Sequence, residues 1–247
     1  MIFKYADYAR FIEHIKQIGN VVPLNEWDDS NKIILRHDVD FDIDAAYRLS
    51  LLEDKHQIRS TYFILATCCT YNPLSSRNRK TLRIMAAMGF EIGLHFDPVV
   101  YGSIEPKKLK RHVDQEADLL ASIIDKPIQS ISLHNPSCHN VYPIFEGYHN
   151  AYDKRIFSDD CYLSDSCMTF KGKDPFDFVN KTKKRPIQIL LHPLHYTEDG
   201  VAYPEIMFEH FKEYAAFIDY MFRTANETYA REMPAGLFAY LRSKEIH

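Results

Sequence analysis

Four short apolar segments of this chain each end directly in aspartate or histidine. The segments cover residues 33–35, 91–94, 128–133 and 187–191, and they run into the sequences RHDVD, HFD, HNP and HPLH. In parallel α/β folds, ligands and catalytic groups gather at the carboxyl ends of the strands. The pattern therefore predicts one shared, metal-centred site rather than four unrelated polar turns.

Between these segments, apolar residues recur at the spacing of amphipathic helices, most clearly over residues 107–124. Alternating strands and helices predict parallel strands joined by crossover helices, in a sheet that is covered on both faces. A chain of 247 residues is long enough for a closed or nearly closed (β/α) barrel as one domain. An open doubly wound sheet is the alternative, although the chain has no glycine-rich nucleotide-binding sequence.

The C-terminal part of the chain predicts one long helical segment, over about residues 204–230, within a single domain of residues 1–247. Apolar residues at helical spacing predict which face of this segment points inward. These residues are Phe208, Phe211, Tyr214, Ala215 and Ile218.

Composition and charge exclude several classes of partner. The 30 lysines and arginines and 34 aspartates and glutamates give a net charge of -4, which disfavours nucleic acid and anionic membrane surfaces. No run approaches the roughly 20 apolar residues that span a bilayer. The first residues lack the apolar core of a secretory signal, and the five cysteines are an odd number without zinc-ribbon spacing. We therefore expect a cytoplasmic protein with reduced thiols and no membrane span.

The most specific local signal is the sequence HDVD at residues 37–40. Alternate residues of an extended segment share a face, so Asp38 and Asp40 are predicted to point into one cavity. Two neighbouring carboxylates repel each other unless a cation lies between them, or one binds a metal and the other a proton. Metal-assisted hydrolysis requires that division between a ligand and a base that takes a proton from water. An acidic turn that caps the next helix is the alternative, and it accounts well for Asp42 and Asp44.

Histidines follow the other three apolar segments. A neutral imidazole at a strand end is a natural ligand for zinc or a similar divalent ion, which makes His95 a candidate ligand. Either His134 or His192 can complete a site with three protein ligands and a position open for water. The other histidine would then serve as a general acid for a leaving group.

Four further residues are weaker candidates for the site. Asp97 is predicted either to orient His95 or face the substrate, or to be a turn residue before a proline. Asp165 is predicted to be a further contributor or a simple turn residue. His37 and His195 are predicted to bind substrate or support the site, with a core or surface position as the alternative.

Three of these motifs resemble those of the polysaccharide deacetylase superfamily, carbohydrate esterase family four. The resemblance covers about residues 33–195 and is greatest to deacetylase-like proteins encoded among surface-polysaccharide biosynthesis genes. The family's acidic pair matches residues 37–40, its sequence Gly-x-Glu-Ile-Gly-x-His matches residues 89–95, and its apolar strand ending in histidine matches residues 189–192. The resemblance implies a distorted or incomplete (β/α) barrel.

The same resemblance implies a role for each matched residue. Asp38 corresponds to the general base, Asp40 and His95 to metal ligands, and His192 to the catalytic histidine. The family's second metal-binding histidine is replaced here by Val99, and its third motif begins with His134 instead of arginine. We expect His134 to supply the missing imidazole from the neighbouring strand end.

These expectations combine into a metal-dependent hydrolase that removes an N-linked acyl group, acetyl, from an amino sugar or sugar precursor. The expected ion is zinc, with nickel or cobalt as alternatives, held by Asp40, His95 and His134. Two other functions stay open. One is a binding or scaffold protein that kept the fold and lost the chemistry, which Val99 favours, and the other is a metal hydrolase of a non-sugar amide.

Overall fold

The structure is a computed structural model that describes residues 3–102, 106–181 and 186–244. The chain forms two compact units, Met1–Gly200 and Val201–His247. All nine candidate site residues named from the sequence belong to the first unit. The expectation of a single domain over residues 1–247 stays a prediction.

The first unit is built on one eight-stranded sheet in which all described pairings are parallel. Its strands are β1 (Asn20–Val22), β2 (Lys32–Val39), β3 (Thr61–Leu65), β4 (Glu91–Phe96), β5 (Ser130–Leu133), β6 (His149–Asn150), β7 (Tyr162–Ser164) and β8 (Ile187–Leu191). Their order is β6-β5-β4-β3-β2-β8-β7, and β1 pairs with the first residues of β2. Nearly every residue of β2, β3, β4, β5 and β8 is buried, because helices and loops cover both faces.

Helices connect the central strands, as the alternating pattern predicts. The helices described in this unit are α1 (Tyr5–Ile18), α2 (Ile43–Lys55), α3 (Ser76–Ala87), α4 (Pro106–Ile124), α5 (Pro136–His139) and α6 (Pro175–Asn180). The crossovers from β2 to β3, β3 to β4 and β4 to β5 contain α2, α3 and α4. Asp42 begins α2 by accepting a hydrogen bond from the backbone N–H of Asp44 at 2.8 Å, which confirms the predicted cap.

The sheet curls without closing. Its edge strands, β6 and β7, do not pair with each other within the described ranges. Three strand spacings, roughly 14 Å in a flat sheet, separate β2 from β5. Yet Arg36 of β2 donates a hydrogen bond to Ser132 of β5 at 2.9 Å, and Gln188 of β8 donates one to the carbonyl of Ala151 beyond β6 at 2.9 Å. The first unit is therefore an incomplete (β/α) barrel, which confirms the predicted fold class.

The second unit contains α7 (Tyr203–Ala225), α8 (Glu227–Glu232) and α9 (Leu237–Lys244). The predicted long segment is broken at Asn226, whose side chain accepts a hydrogen bond from the backbone N–H of Tyr229 at 2.9 Å and caps α8. Among the described residues, no helix combines the length and the apolar character that crossing a bilayer requires.

The predicted inward face of α7 is wrong for three of its five residues. The side chains of Phe208, Phe211 and Tyr214 are 64%, 52% and 37% exposed. Phe217 and Phe222 are exposed as well. Since apolar residues surround much of this helix, helical spacing alone does not single out one buried face.

Candidate metal centre

Strand β2 carries both carboxylates of the HDVD sequence on one face. Asp38 lies within β2 and is 3% exposed. Asp40 is the first residue after the strand and is half-buried. Because side chains alternate along a strand, the two share a face with Arg36. The curl of the sheet turns this face toward the interior of the barrel.

Asp40 meets two histidines at the carboxyl edge of the sheet. Its Oδ1 lies 3.1 Å from His95 Nε2 and 3.3 Å from His134 Nδ1, and the two ring nitrogens are 3.1 Å apart. His95 lies on β4 and His134 directly follows β5, its neighbour in the sheet. The three side chains therefore present three ligand atoms to one point.

These residues fit a divalent metal ion. Two ligand atoms that each lie about 2.0–2.1 Å from a tetrahedral ion are roughly 3.3 Å from one another, close to the three distances here. One carboxylate and two imidazoles are also the donor set that zinc and its neighbours prefer. Asp40, His95 and His134 are thus the residues that could hold an ion.

Asp40 and His134 change each other's pKa values. Burial alone would raise the pKa of Asp40, but hydrogen bonds from His134 and His95 outweigh burial and hold that pKa well below its ordinary value. Burial lowers the pKa of His134, yet its contact with Asp40 raises the pKa overall. Asp40 is consequently ionised at neutral pH, as a metal ligand must be.

A second carboxylate–histidine pair lies beside Asp40. Nδ1 of His192 lies 2.6 Å from Oδ1 of Asp165, which is fully buried, and the backbone N–H of His192 donates to both Asp165 oxygens at 3.1 Å. Nδ1 of His195 lies 3.2 Å from Oδ2 of the same carboxylate. Since the other ring nitrogen of His192, Nε2, lies 3.7 Å from Asp40, His192 links the two groups.

Asp165, His192 and His195 are also close enough together to hold an ion. However, the carboxylate already accepts hydrogen bonds from both imidazoles and from a backbone N–H, so its lone pairs are in use. Burial would lower the pKa of His192, but the charge of Asp165 outweighs it and raises the pKa to about 9. The arrangement holds His192 as a protonated acid rather than as a ligand.

Asp38 lies beside this group but is held by other residues. Its Oδ2 accepts a hydrogen bond from the Ser132 hydroxyl at 3.1 Å and lies 3.7 Å from the Arg36 guanidinium. The same oxygen is 3.9 Å from Nε2 of His95. Oδ1 of Asp38 is buried and has no hydrogen-bond partner within the described part of the chain.

Two candidate residues lie in different surroundings. His37 points to the opposite face of β2, where its Nε2 lies 2.8 Å from Oε1 of the fully buried Glu53, and it stacks on Tyr62. Asp97 accepts a hydrogen bond from the backbone N–H of Val99 at 2.9 Å and begins a short 3₁₀ helix. The structure thus brings together Asp38, Asp40, His95, His134, Asp165, His192 and His195, and it places His37 in the core.

Arg36, Ser132 and Asn135 also contact the site and were not predicted from the sequence. Arg36 precedes Asp38 by two residues, so strand alternation alone could have placed it on the same face. Asn135 has a left-handed backbone, and its side-chain amide lies 2.9 Å from Nε2 of His134. No local signal marks Ser132, because its role depends on the curl of the sheet.

No family model matches the sequence, and no curated protein matches it. Solved structures do match. A CE4 family pseudoenzyme from Bacillus anthracis is 11% identical over 78% of this chain and 65% of its own, with a TM-score of 0.45. The Xyl-CE4 domain of a multidomain xylanase from the hindgut metagenome of Trinervitermes trinervoides is 14% identical over 73% and 83%, with a TM-score of 0.46. Peptidoglycan deacetylase PdaC from Bacillus subtilis is 17% identical over 75% and 85%, with a TM-score of 0.43.

Proposed function

We propose that this chain is a metal-dependent hydrolase that removes an acetyl group from the nitrogen of an amino sugar or sugar precursor. The observation that carries the proposal is the convergence of Asp40, His95 and His134, with ligand atoms 3.1–3.3 Å apart. The sugar substrate, and a role in surface-polysaccharide biosynthesis, rest on the motif resemblance over residues 33–195.

A bound zinc, nickel or cobalt ion supplies Lewis-acid polarisation of the acyl carbonyl and lowers the pKa of water. Asp40, His95 and His134 would hold it. Asp38 accepts the proton of the attacking water, because its unpartnered Oδ1 is free to do so. The burial of Asp38 keeps competing bulk water away from that oxygen.

His192 protonates the departing nitrogen. An amide nitrogen leaves readily only when it accepts a proton, and one positioned acid contributes roughly 10²–10⁴-fold to the rate. Asp165 stabilises the imidazolium and fixes its Nδ1–H, so that the Nε2 of His192 lies on the side of Asp40. The pKa of about 9 keeps His192 protonated at neutral pH.

A binding protein that kept the fold and lost the chemistry is the second candidate. The observation that favours it is Val99, which is 50% exposed and has no metal-binding atom. The presence of His134 at the centre and of the Asp165–His192 pair beside it favours the enzyme, because a binding protein needs neither an extra imidazole nor a protonated acid.

The test is metal content together with acetate release from purified protein. We expect stoichiometric metal, and release of acetate from N-acetylated sugars that chelation abolishes and zinc, nickel or cobalt restores. Asp38→Ala should abolish turnover and leave the ion bound, whereas His95→Ala should lose both. Folded protein without metal would favour the binding protein, and release of formate or ammonia from other amides would overturn the sugar substrate.

A further inference from the structure

Arg36 is a fully buried cation in the interior of the barrel. Its guanidinium carbon lies 5.1 Å from the ring centre of Tyr152, 5.7 Å from that of Phe63 and 5.9 Å from that of Tyr162. Among the described residues, Asp38 is the carboxylate within ion-pair distance, at 3.7 Å. A buried guanidinium is costly unless it is paired, so the position of Arg36 and that of Asp38 depend on one another.

Ser132 completes this contact. Its hydroxyl accepts a hydrogen bond from Nη1 of Arg36 at 2.9 Å and donates one to Oδ2 of Asp38 at 3.1 Å. Oδ2 of Asp38 is thereby held 3.9 Å from Nε2 of His95, whereas Oδ1 of Asp40 lies 3.1 Å from the same nitrogen. Two carboxylates on one strand face thus have different partners.

A carboxylate this close to a divalent ion would be attracted to it unless something else held it. Rotation between staggered side-chain positions is inexpensive, so the geometry of the strand alone does not fix the orientation of the Asp38 carboxylate. A base that became a ligand could no longer accept the proton of water. The division of roles between Asp38 and Asp40 therefore needs an anchor.

We propose that Arg36, acting through Ser132, is the positioning residue that keeps Asp38 out of the metal's coordination shell and available as the base. The inference rests on the proposed function, because it assigns the roles of two carboxylates in the same site. Arg36 acts through its contacts with Ser132 and Asp38. It decides which aspartate binds and which reacts.

The test uses the cobalt-loaded full-length protein, whose visible absorption reports the number of ligands. In Arg36→Met we expect weaker, higher-coordinate cobalt bands, because Asp38 joins the ion, with kcat lower by about 10²–10³-fold and KM within about threefold. Adding Asp38→Asn to this variant should restore the wild-type spectrum but not the activity. Arg59→Met is the matched control, since Arg59 also lies over a ring, that of Phe90, and pairs with Asp54 far from the site.

A purely structural role for Arg36 predicts a different result. Arg36→Met would then lose stability and leave the cobalt spectrum unchanged, and that outcome overturns the proposal. If Arg36→Met does not fold, Arg36→Lys and Ser132→Ala decide: the same spectral change in smaller degree supports the proposal, and unchanged spectra in both overturn it. If wild-type protein binds cobalt but releases no acetate, the proposed function is overturned. The role of Arg36 is still tested, because the cobalt spectra of the variants do not depend on activity.

Discussion

At the scale of single residues, His134 supplies the third ligand atom of the candidate metal centre. Its Nδ1 completes a triangle with Asp40 and His95. Val99, which follows β4, is exposed and has no metal-binding atom. With β5 adjacent to β4, an imidazole at the end of β5 reaches the same point from the other strand.

Replacement of this ligand should release the ion. We expect His134→Ala to weaken metal affinity by more than about 100-fold, beyond the 10–100-fold effect of losing an outer partner. Competition with a chromogenic chelator measures it. His149→Ala, at an exposed position on β6, is the control. If the metal affinity of His134→Ala stays within about threefold of wild type, other residues hold the ion.

Asp165 is expected to act on chemistry rather than on metal. Asp165→Asn removes the charge that keeps His192 protonated and oriented, so kcat should fall by about 10²–10⁴-fold while metal affinity stays unchanged. Acetate release and metal titration are measured on the same preparation, with the exposed Asp159→Asn as control. Loss of metal from Asp165→Asn would instead place Asp165 among the ligands.

Glu116, on α4, should make stability depend on pH. It is 7% exposed, its Oε2 has no hydrogen-bond partner in the described ranges, and burial raises its pKa to about 7. The folded state therefore binds a proton that the unfolded state has released, so the stability from this group is greatest at low pH and is lost as pH rises from about 4.5 through about 7.

Glu116→Gln should remove the cost of burying an ionised carboxylate at high pH. Against wild type, we expect a gain in the free energy of unfolding of roughly 1–3 kcal/mol near pH 8 and a much smaller gain near pH 5. Thermal or denaturant unfolding at both pH values measures the difference, with the exposed Glu146→Gln as control. An equal effect at both pH values would contradict the pKa of Glu116 as the cause.

At the scale of elements, the packing of β3 against β4 positions a ring that contacts Arg36. A Cβ atom at Gly93 would lie 2.5 Å from Cε1 of Phe63 and 3.1 Å from the carbonyl oxygen of Ser130. Phe63 in turn lies under the guanidinium of Arg36. Because residue 93 is glycine, the ring of Phe63 can approach the backbone of β4 closely, and this places the ring against the Arg36 guanidinium.

Gly93→Ala should consequently destabilise the protein by about 1–3 kcal/mol, because the added methyl group forces the ring of Phe63 to move. The melting temperature should fall by roughly 2–12 °C for a chain of this size. Phe63→Leu combined with Gly93→Ala should cost less than the sum of the two single changes. Additive effects would show that Phe63 is not what the methyl group meets.

At the same scale, β2 is longer than the apolar run in the sequence predicts. Its apolar residues suggested a strand that ends at residue 35, but β2 extends over Lys32–Val39. Two of its partner strands pair with this extension: β8 as far as His37 and β3 as far as Val39. A charged residue is tolerated inside this strand because Arg36 neutralises Asp38 on the same face.

At the scale of the whole molecule, the curl of the sheet makes the site. The ends of β2, β4, β5 and β8 supply the residues that converge, although β2 and β5 are three positions apart in the sheet. An ion bound at this point would tie together strands that are distant in the chain. Its binding free energy would therefore add to the stability of the folded barrel.

Metal should raise the melting temperature of the entire barrel. An ion at about 100 times its Kd adds about 2.7 kcal/mol, which corresponds to a rise of roughly 5–11 °C for a chain of this size. Differential scanning calorimetry with and without a chelator measures the shift. His95→Ala should show no shift, and an equal shift in that variant would place the ion elsewhere.

The alternation of strands and helices, and a cluster of carboxylates and imidazoles at the strand ends, were predictable from the chain alone. Both depend on local periodicity: side chains repeat every two residues in a strand and every 3.6 in a helix, and parallel strands end at one edge. The same local pattern did not determine the face of α7, which is apolar on several sides. Local pattern is enough only where one face of an element is apolar and the other polar.

The partners inside the cluster were decided by the tertiary structure. The spacing of residues left either His134 or His192 as the third ligand, and only the motif resemblance favoured His134. In the structure His134 contacts Asp40 and His95, while Asp165 contacts the Nδ1 of His192. Arg36 and Ser132 are likewise far apart in the chain and three strand positions apart in the sheet. Such contacts depend on how strongly the sheet curls, which is set by the packing of the whole barrel and is not encoded in any one segment.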